Sequence, residues 1–144
     1  MEAQNYANHR RFVPMFHGVL FTLLLLTLIG SAVNLYKSWG DHERMYSASL
    51  ILVLVVCTIM AALLGRIFAL KAQDRAIRAE ENLRHFAFTG KLLDPSLTMG
   101  QIIALRFAPD GEFVALAQRA AAEHLEPDAI KRAVKVWRAD MYRA

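Results

Sequence analysis

Read for the alternation of apolar and polar positions, the chain divides into a strongly apolar first half and a periodic, charged second half. From Phe12 to Tyr36 there is no Asp, Glu, Lys or Arg and the only histidine is His17; from Tyr46 to Gly65 there is no charged residue and no histidine. Each run reaches about 20 apolar residues, enough to cross roughly 30 Å of hydrocarbon as a helix. The pattern predicts transmembrane helices over residues 13–36 and 46–65, with an external loop over 37–45 whose turn signal is Gly40-Asp41. A signal peptide competes for the first run, because His9, Arg10 and Arg11 precede it and Gly30, Ser31 and Ala32 follow. The run is too long for a typical cleavable core, and a membrane span is the expectation.

Beyond Gly65 neither proline nor glycine appears until Gly90, so the second span is expected to continue as one helix from about Met45 to Thr89, roughly 65 Å at 1.5 Å per residue. In its extension, residues 66–90, Ala69, Ala72, Ala76, Ala79, Leu83 and Phe86 alternate three and four apart, a heptad-like seam with small side chains at its membrane end. Gly90 is placed to cap the helix, and Leu92-Leu93-Asp94-Pro95 reads as the turn after it. Residues 91–144 then form a tail of three short helices. Thr98 and Gln101 make a capping-box pattern ahead of Met99, Ile102, Ile103 and Phe107. After a break at Ala108-Pro109-Asp110-Gly111, a second helix carries Phe113, Leu116, Ala117, Ala120, Ala121 and His124 on one face. Pro127 opens a third, with Ile130, Ala133, Val134, Trp137 and Met141 on one stripe. The fold class expected is therefore an all-α membrane protein: a two-span hairpin, a long helix continuing the second span, and a small three-helix tail.

Charge sets the expected orientation. Residues 1–12 form an N-terminal flank with Arg10 and Arg11, the loop carries Lys37 and Arg44, and the segment after Gly65 carries Arg66, Lys71, Arg75 and Arg78. Basic residues beside a span resist translocation, so both termini are expected in the cytoplasm, with Arg66, Lys71, Arg75 and Arg78 against lipid headgroups and Tyr36, Trp39 and Tyr46 at the outer interface. Composition agrees with a membrane chain: 56% of residues are hydrophobic and the mean hydropathy is +0.27. The 79 residues from Arg66 to Ala144 are expected to need the long helix, another copy or a partner to complete a core. Nucleic acid is excluded as a partner despite the basic pI, because Ser96 to Ala144 holds seven basic and six acidic residues, too even a balance for counterion-driven affinity.

Small residues mark packing faces. Cys57, Ala61, Gly65 and Ala69 recur every four residues along the second span, with Gly18, Thr22, Gly30 and Asn34 on compatible positions of the first. In lipid, where no hydrophobic drive joins helices, such faces permit the close approach that supplies the attraction. One use is the hairpin itself; the other is docking on a further membrane subunit. Cys57 is the only cysteine, so no intrachain disulfide is expected.

Catalytic patterns are missing: no phosphate loop, dinucleotide fingerprint, HExxH, paired cysteines or nucleophile elbow. His85 and His124 read as helix-end histidines beside carbonyl dipoles. Glu80 and Glu81 among Arg75, Arg78 and Arg84 read as a solvated helix surface. His17 is the one candidate cofactor residue, since a histidine in the first turns of a span can ligate haem or a pigment; neither span holds a second histidine, and the expectation is an interfacial side chain and no cofactor.

Four segments carry a family resemblance: Glu2-Ala3-Gln4-Asn5-Tyr6-Ala7-Asn8-His9, Leu83-Arg84-His85-Phe86-Ala87-Phe88-Thr89-Gly90-Lys91, Gln101-Ile102-Ile103-Ala104-Leu105-Arg106-Phe107-Ala108 and Ala133-Val134-Lys135-Val136-Trp137-Arg138-Ala139-Asp140. In these the chain resembles a family of short bacterial two-span proteins known only as a domain of unknown function, over nearly its whole length. The resemblance implies no activity and transfers no catalytic residue. It implies an interaction surface built from polar segments at both ends of the spans. The functional expectation is a non-catalytic accessory or scaffold subunit of a larger bacterial inner-membrane complex, respiratory and photosynthetic assemblies being the candidates, whose partners are lipid and other membrane subunits. The alternative is a self-associating membrane-anchored adaptor that recruits a cytoplasmic protein.

Overall fold

A computed structural model describes residues 4–8 and 12–140; Arg10, Arg11 and Met141, used above for topology and for the last stripe, lie outside them. Every regular element among the described residues is helical. A π-helical stretch, Pro14–Leu20, runs into α1 (Phe21–Lys37), followed by α2 (His42–Thr89), α3 (Met99–Leu105), α4 (Asp110–Ala122) and α5 (Pro127–Ala133). Two of these runs, Pro14–Lys37 and His42–Thr89, are long and apolar enough to cross a membrane. The chain forms two compact units, residues 12–68 and residues 69–144 together with 1–11, and α2 contributes to both.

In the unit of residues 12–68, Pro14 opens the first helix where its missing N–H costs no bond, and the amides of Phe16 and His17 both donate to the Val13 carbonyl. A turn at Ser38–Asp41, with Gly40 at φ +94°, reverses the chain into α2. The covered positions of α1 are Ser31, with Leu24, Leu28 and Leu35 half-buried; those of α2 are Ala48 and Val55, with Met45, Leu52, Ile59 and Ala62 half-buried. Both sets step by three and four, a knobs-into-holes spacing. Arg66 lies 5.5 Å from the Phe16 ring at the other end of the pair. The small-residue positions are elsewhere: Thr22, Gly30, Asn34, Cys57, Ala61 and Gly65 are exposed and Gly18 half-buried. The covered face of α2, through Ala48, Leu52, Val55 and Ile59, is therefore a different one from the line of Cys57, Ala61 and Gly65.

In the second unit α2 ends at Gly90, whose φ of +71° is the left-handed cap that glycine adopts without strain, and whose amide bonds the Phe86 carbonyl. Thr98 and Gln101 form the reciprocal capping box that starts α3. A core of Leu93, Leu97, Ile102, Leu105, Phe113, Leu116, Ile130 and Val134 gathers α3, α4 and α5. Phe107 and Phe113, both fully buried, each contribute about 1.5–3 kcal/mol by leaving water. Gly100, which lies in a first turn, has a packing reason to be there: a Cβ would stand 3.1 Å from the Pro127 ring, and the α3–α5 contact needs that space.

Three expectations for the tail are corrected. Asp110 and Gly111 do not break the chain; Pro109 is the extended cap and both belong to the first turn of α4. His124 lies past the end of α4, exposed, at φ +48°, and joins no helix face. The third helix stops at Ala133, where Val134 turns to extended backbone, and residues 134–140 follow without regular structure; there the Arg138 amide donates to the Phe107 carbonyl (2.8 Å) and the Trp137 ring lies tilted on the Phe107 ring at 4.8 Å. The carbonyl left open by the break before Pro109 is thereby satisfied. At the other end of the chain, residues 4–8 of the N-terminal flank belong to the terminal unit.

Candidate functional site

Within the terminal unit, the face of α2 that the tail covers is not the apolar seam. Ile77, Glu81 and His85 are buried, whereas Ala69, Ala72, Ala76, Ala79, Leu83 and Phe86 are exposed, Leu83 by 68% and Phe86 by 51%. Polar side chains line the covered face because each finds a partner there. Glu81 is only 3% exposed and accepts from Arg84 Nη1 (3.0 Å) and Arg138 Nη1 (3.4 Å). Arg84 also donates from Nε and Nη2 to Asp110 Oδ1 (2.9 and 2.6 Å) and from Nη2 to the Ala108 carbonyl (2.8 Å), with its guanidinium 4.2 Å from the Phe113 ring. The glutamate read as a solvated surface residue is thus buried and ion-paired; Glu80 beside it is exposed as expected. His85 Nδ1 sits 2.8 Å from the Lys91 carbonyl and 3.2 Å from Thr89 Oγ1, tying the helix end to the turn that follows.

A second cluster joins the chain's two ends. Tyr6 Oη donates to the Asp128 carboxylate (2.7 and 2.8 Å) and accepts from Arg132 Nη2 (3.1 Å), while the Asp140 amide donates to Gln4 Oε1 (2.8 Å). The Tyr6 hydroxyl, more than the nearby Arg132, holds the Asp128 carboxyl below its ordinary range. Buried Arg106 lies 3.0 Å from Asp140 Oδ2 and 4.8 Å from the Phe107 ring. All four segments that carry the family resemblance meet in this unit, through Tyr6 and Gln4, His85 and Arg84, Arg106 and Phe107, and Trp137, Arg138 and Asp140. Nothing in periodicity pointed to Tyr6–Asp128 or Arg106–Asp140; the one available signal was an arginine inside the apolar run Ile102–Phe107.

The remaining candidates stay apart from these clusters. His17 has its Nδ1 within 3.2 Å of the Val13 amide and 3.1 Å of the Val13 carbonyl, and stacks on Phe12 at 5.0 Å, so a haem or pigment would have to be met by Nε2. Lys71, Arg75 and Arg78 are exposed on α2. Among the described residues no group of three or more His, Cys, Asp or Glu converges as a metal site. Two exposed helix faces remain as the candidate functional surface: the small-residue line of Cys57, Ala61 and Gly65 in one unit and the seam through Leu83 and Phe86 in the other.

The chain belongs to a family of unknown function, DUF6526, whose model matches residues 1–144. No curated protein and no solved structure matches the chain.

Proposed function

We propose that this chain is a non-catalytic accessory or scaffold subunit of a larger bacterial inner-membrane complex, respiratory or photosynthetic, anchored by two spans with both termini cytoplasmic. The observation that carries the reading is the exposure of Cys57, Ala61 and Gly65 on one face of α2, together with Gly30 on α1. A Cβ added at Gly30 or Gly65 would meet nothing within 4 Å, so their smallness serves no contact inside the chain. In lipid, glycine and alanine allow another helix's backbone to approach, which is the attraction such an interface uses. Lys71, Arg75 and Arg78, exposed after the second span, support the cytoplasmic assignment and a headgroup contact worth about 1 kcal/mol each.

The test is purification in gentle detergent followed by mass spectrometry of what accompanies the chain, in the wild type and in Gly65→Leu and Ala61→Leu. Leucine is as comfortable in lipid as glycine, so insertion survives while a partner helix is pushed outward. A stoichiometric foreign membrane protein lost in both variants supports the reading; the same composition in all three overturns it. A second reading, the self-associating adaptor, is favoured by the exposed seam of Ala72, Ala76, Ala79, Leu83 and Phe86, which the tail leaves uncovered.

A further inference from the structure

The seam in the terminal unit has the spacing of a two-stranded coiled coil, and its flanks carry charges that the chain itself leaves unused. Ala69, Ala72, Ala76, Ala79, Leu83 and Phe86 step by three and four along one exposed face. Arg75 stands just before the core position Ala76, and Glu80 just after the core position Ala79. Both are exposed, and among the described residues neither takes an ion-pair partner. In this they differ from Arg84 and Glu81 nearby, which pair with Asp110 and Arg138 of the tail and with each other.

We infer that the seam is occupied by a second copy of this chain, the two α2 helices lying parallel and in register, with Arg75 of each copy against Glu80 of the other. In a parallel two-stranded coil, the residue before one core position faces the residue after the next core position on the other strand, and these flanking charges select partner and orientation. Arg75 and Glu80 have that separation and opposite signs, so the two-fold axis produces the pair twice. Alanine at four successive core positions lets the helices approach toward the close end of the usual 8–10 Å range, and Leu83 and Phe86 then supply the apolar area. Parallel is also the only arrangement open to two copies whose spans cross one bilayer in the same direction. The inference rests on the self-association reading and adds to it the occupant, the orientation and the register.

The test uses the full chain in lipid vesicles, with Cys57→Ser as background. Ala72→Cys and Ala79→Cys are each expected to give disulfide-linked dimers, several-fold more than the off-seam control Arg78→Cys. An antiparallel contact would cross-link at one seam position at most. Arg75→Glu and Glu80→Arg, each alone, replace two attractive pairs by two repulsive ones and are expected to weaken the dimer about tenfold. Mixing the two variants, or combining both changes in one chain, restores it; the rescue distinguishes pairing from misfolding. A wild-type oligomer that ignores the charge reversals and cross-links through Gly65→Cys instead overturns this inference and leaves self-association standing. A monomer at every concentration overturns both.

Discussion

Glu81→Gln isolates the most consequential difference between the surface expected on α2 and the one observed. Glutamine keeps the shape of the side chain and removes its charge. In the native unit the Glu81 carboxylate is 4% exposed and accepts from Arg84 at 3.0 Å and Arg138 at 3.4 Å. Removing one member of a buried ion pair costs about 3–5 kcal/mol when its partner is left alone. Arg84 is not left alone: Asp110 at 2.6 Å, the Ala108 carbonyl at 2.8 Å and the Phe113 ring at 4.2 Å remain to it. The Arg138 contact is half-exposed and adds little. The expected loss is therefore about 2 kcal/mol, near the worth of one hydrogen bond between charged groups in a covered site. For a unit of this size that lowers Tm by roughly 8–16 °C. Glu80→Gln, one position earlier and exposed, is expected to change stability by no more than about 0.5 kcal/mol. Trp137, whose ring lies tilted against Phe107, reports unfolding by near-ultraviolet circular dichroism once Trp39 is replaced by Phe. Equal melting of the Glu80 and Glu81 variants would refute the burial argument, because it would place both carboxylates in water.

The N-terminal clasp is acid-sensitive. Asp128 has its carboxyl held below the ordinary 3.8 by Tyr6, so its contribution is complete above that pH and disappears as pH falls below it through the lower folded value. Protection of the residue 4–8 amides, taken relative to their intrinsic exchange rates, should fall below about pH 4, and Tyr6→Phe should show the reduced protection already at pH 7; equal protection in wild type and variant refutes the clasp. On topology, cysteines placed at Asp41 and Gln118 in the Cys57→Ser background and challenged in intact cells with an impermeant reagent should label at the loop only, and the reverse pattern would overturn the assignment. For His17, the purified chain is expected to show no haem or pigment absorbance, and a Soret or red band that vanishes in His17→Ala would show that the histidine is a ligand.

The two long apolar helices were legible in the sequence because the length and composition that would suit hydrocarbon belong to each helix separately. Uncharged length is read without reference to any neighbour, and the runs from Phe12 and Tyr46 reach about the 20 residues that a crossing helix needs. Helix ends were legible for a similar reason: Gly90 at positive φ and the Thr98–Gln101 box are satisfied within one turn of their own position. Tertiary structure alone decided which face of α2 the tail covers. Periodicity marks the Ala72–Phe86 line as apolar, but a helix buries whichever face its neighbours complement. Here Arg84, itself held by Asp110, and Arg138 both donate to Glu81, so the polar side is enclosed and the apolar side remains open. The same holds for residues 134–140, whose stripe of Val134 and Trp137 fits a helix, yet which leave the helix after Ala133 to meet the Phe107 carbonyl and ring. Tyr6 and Asp128 stand 122 positions apart, and no local pattern records a bond between them; it exists because the fold brings the chain's beginning to the first turn of its last helix.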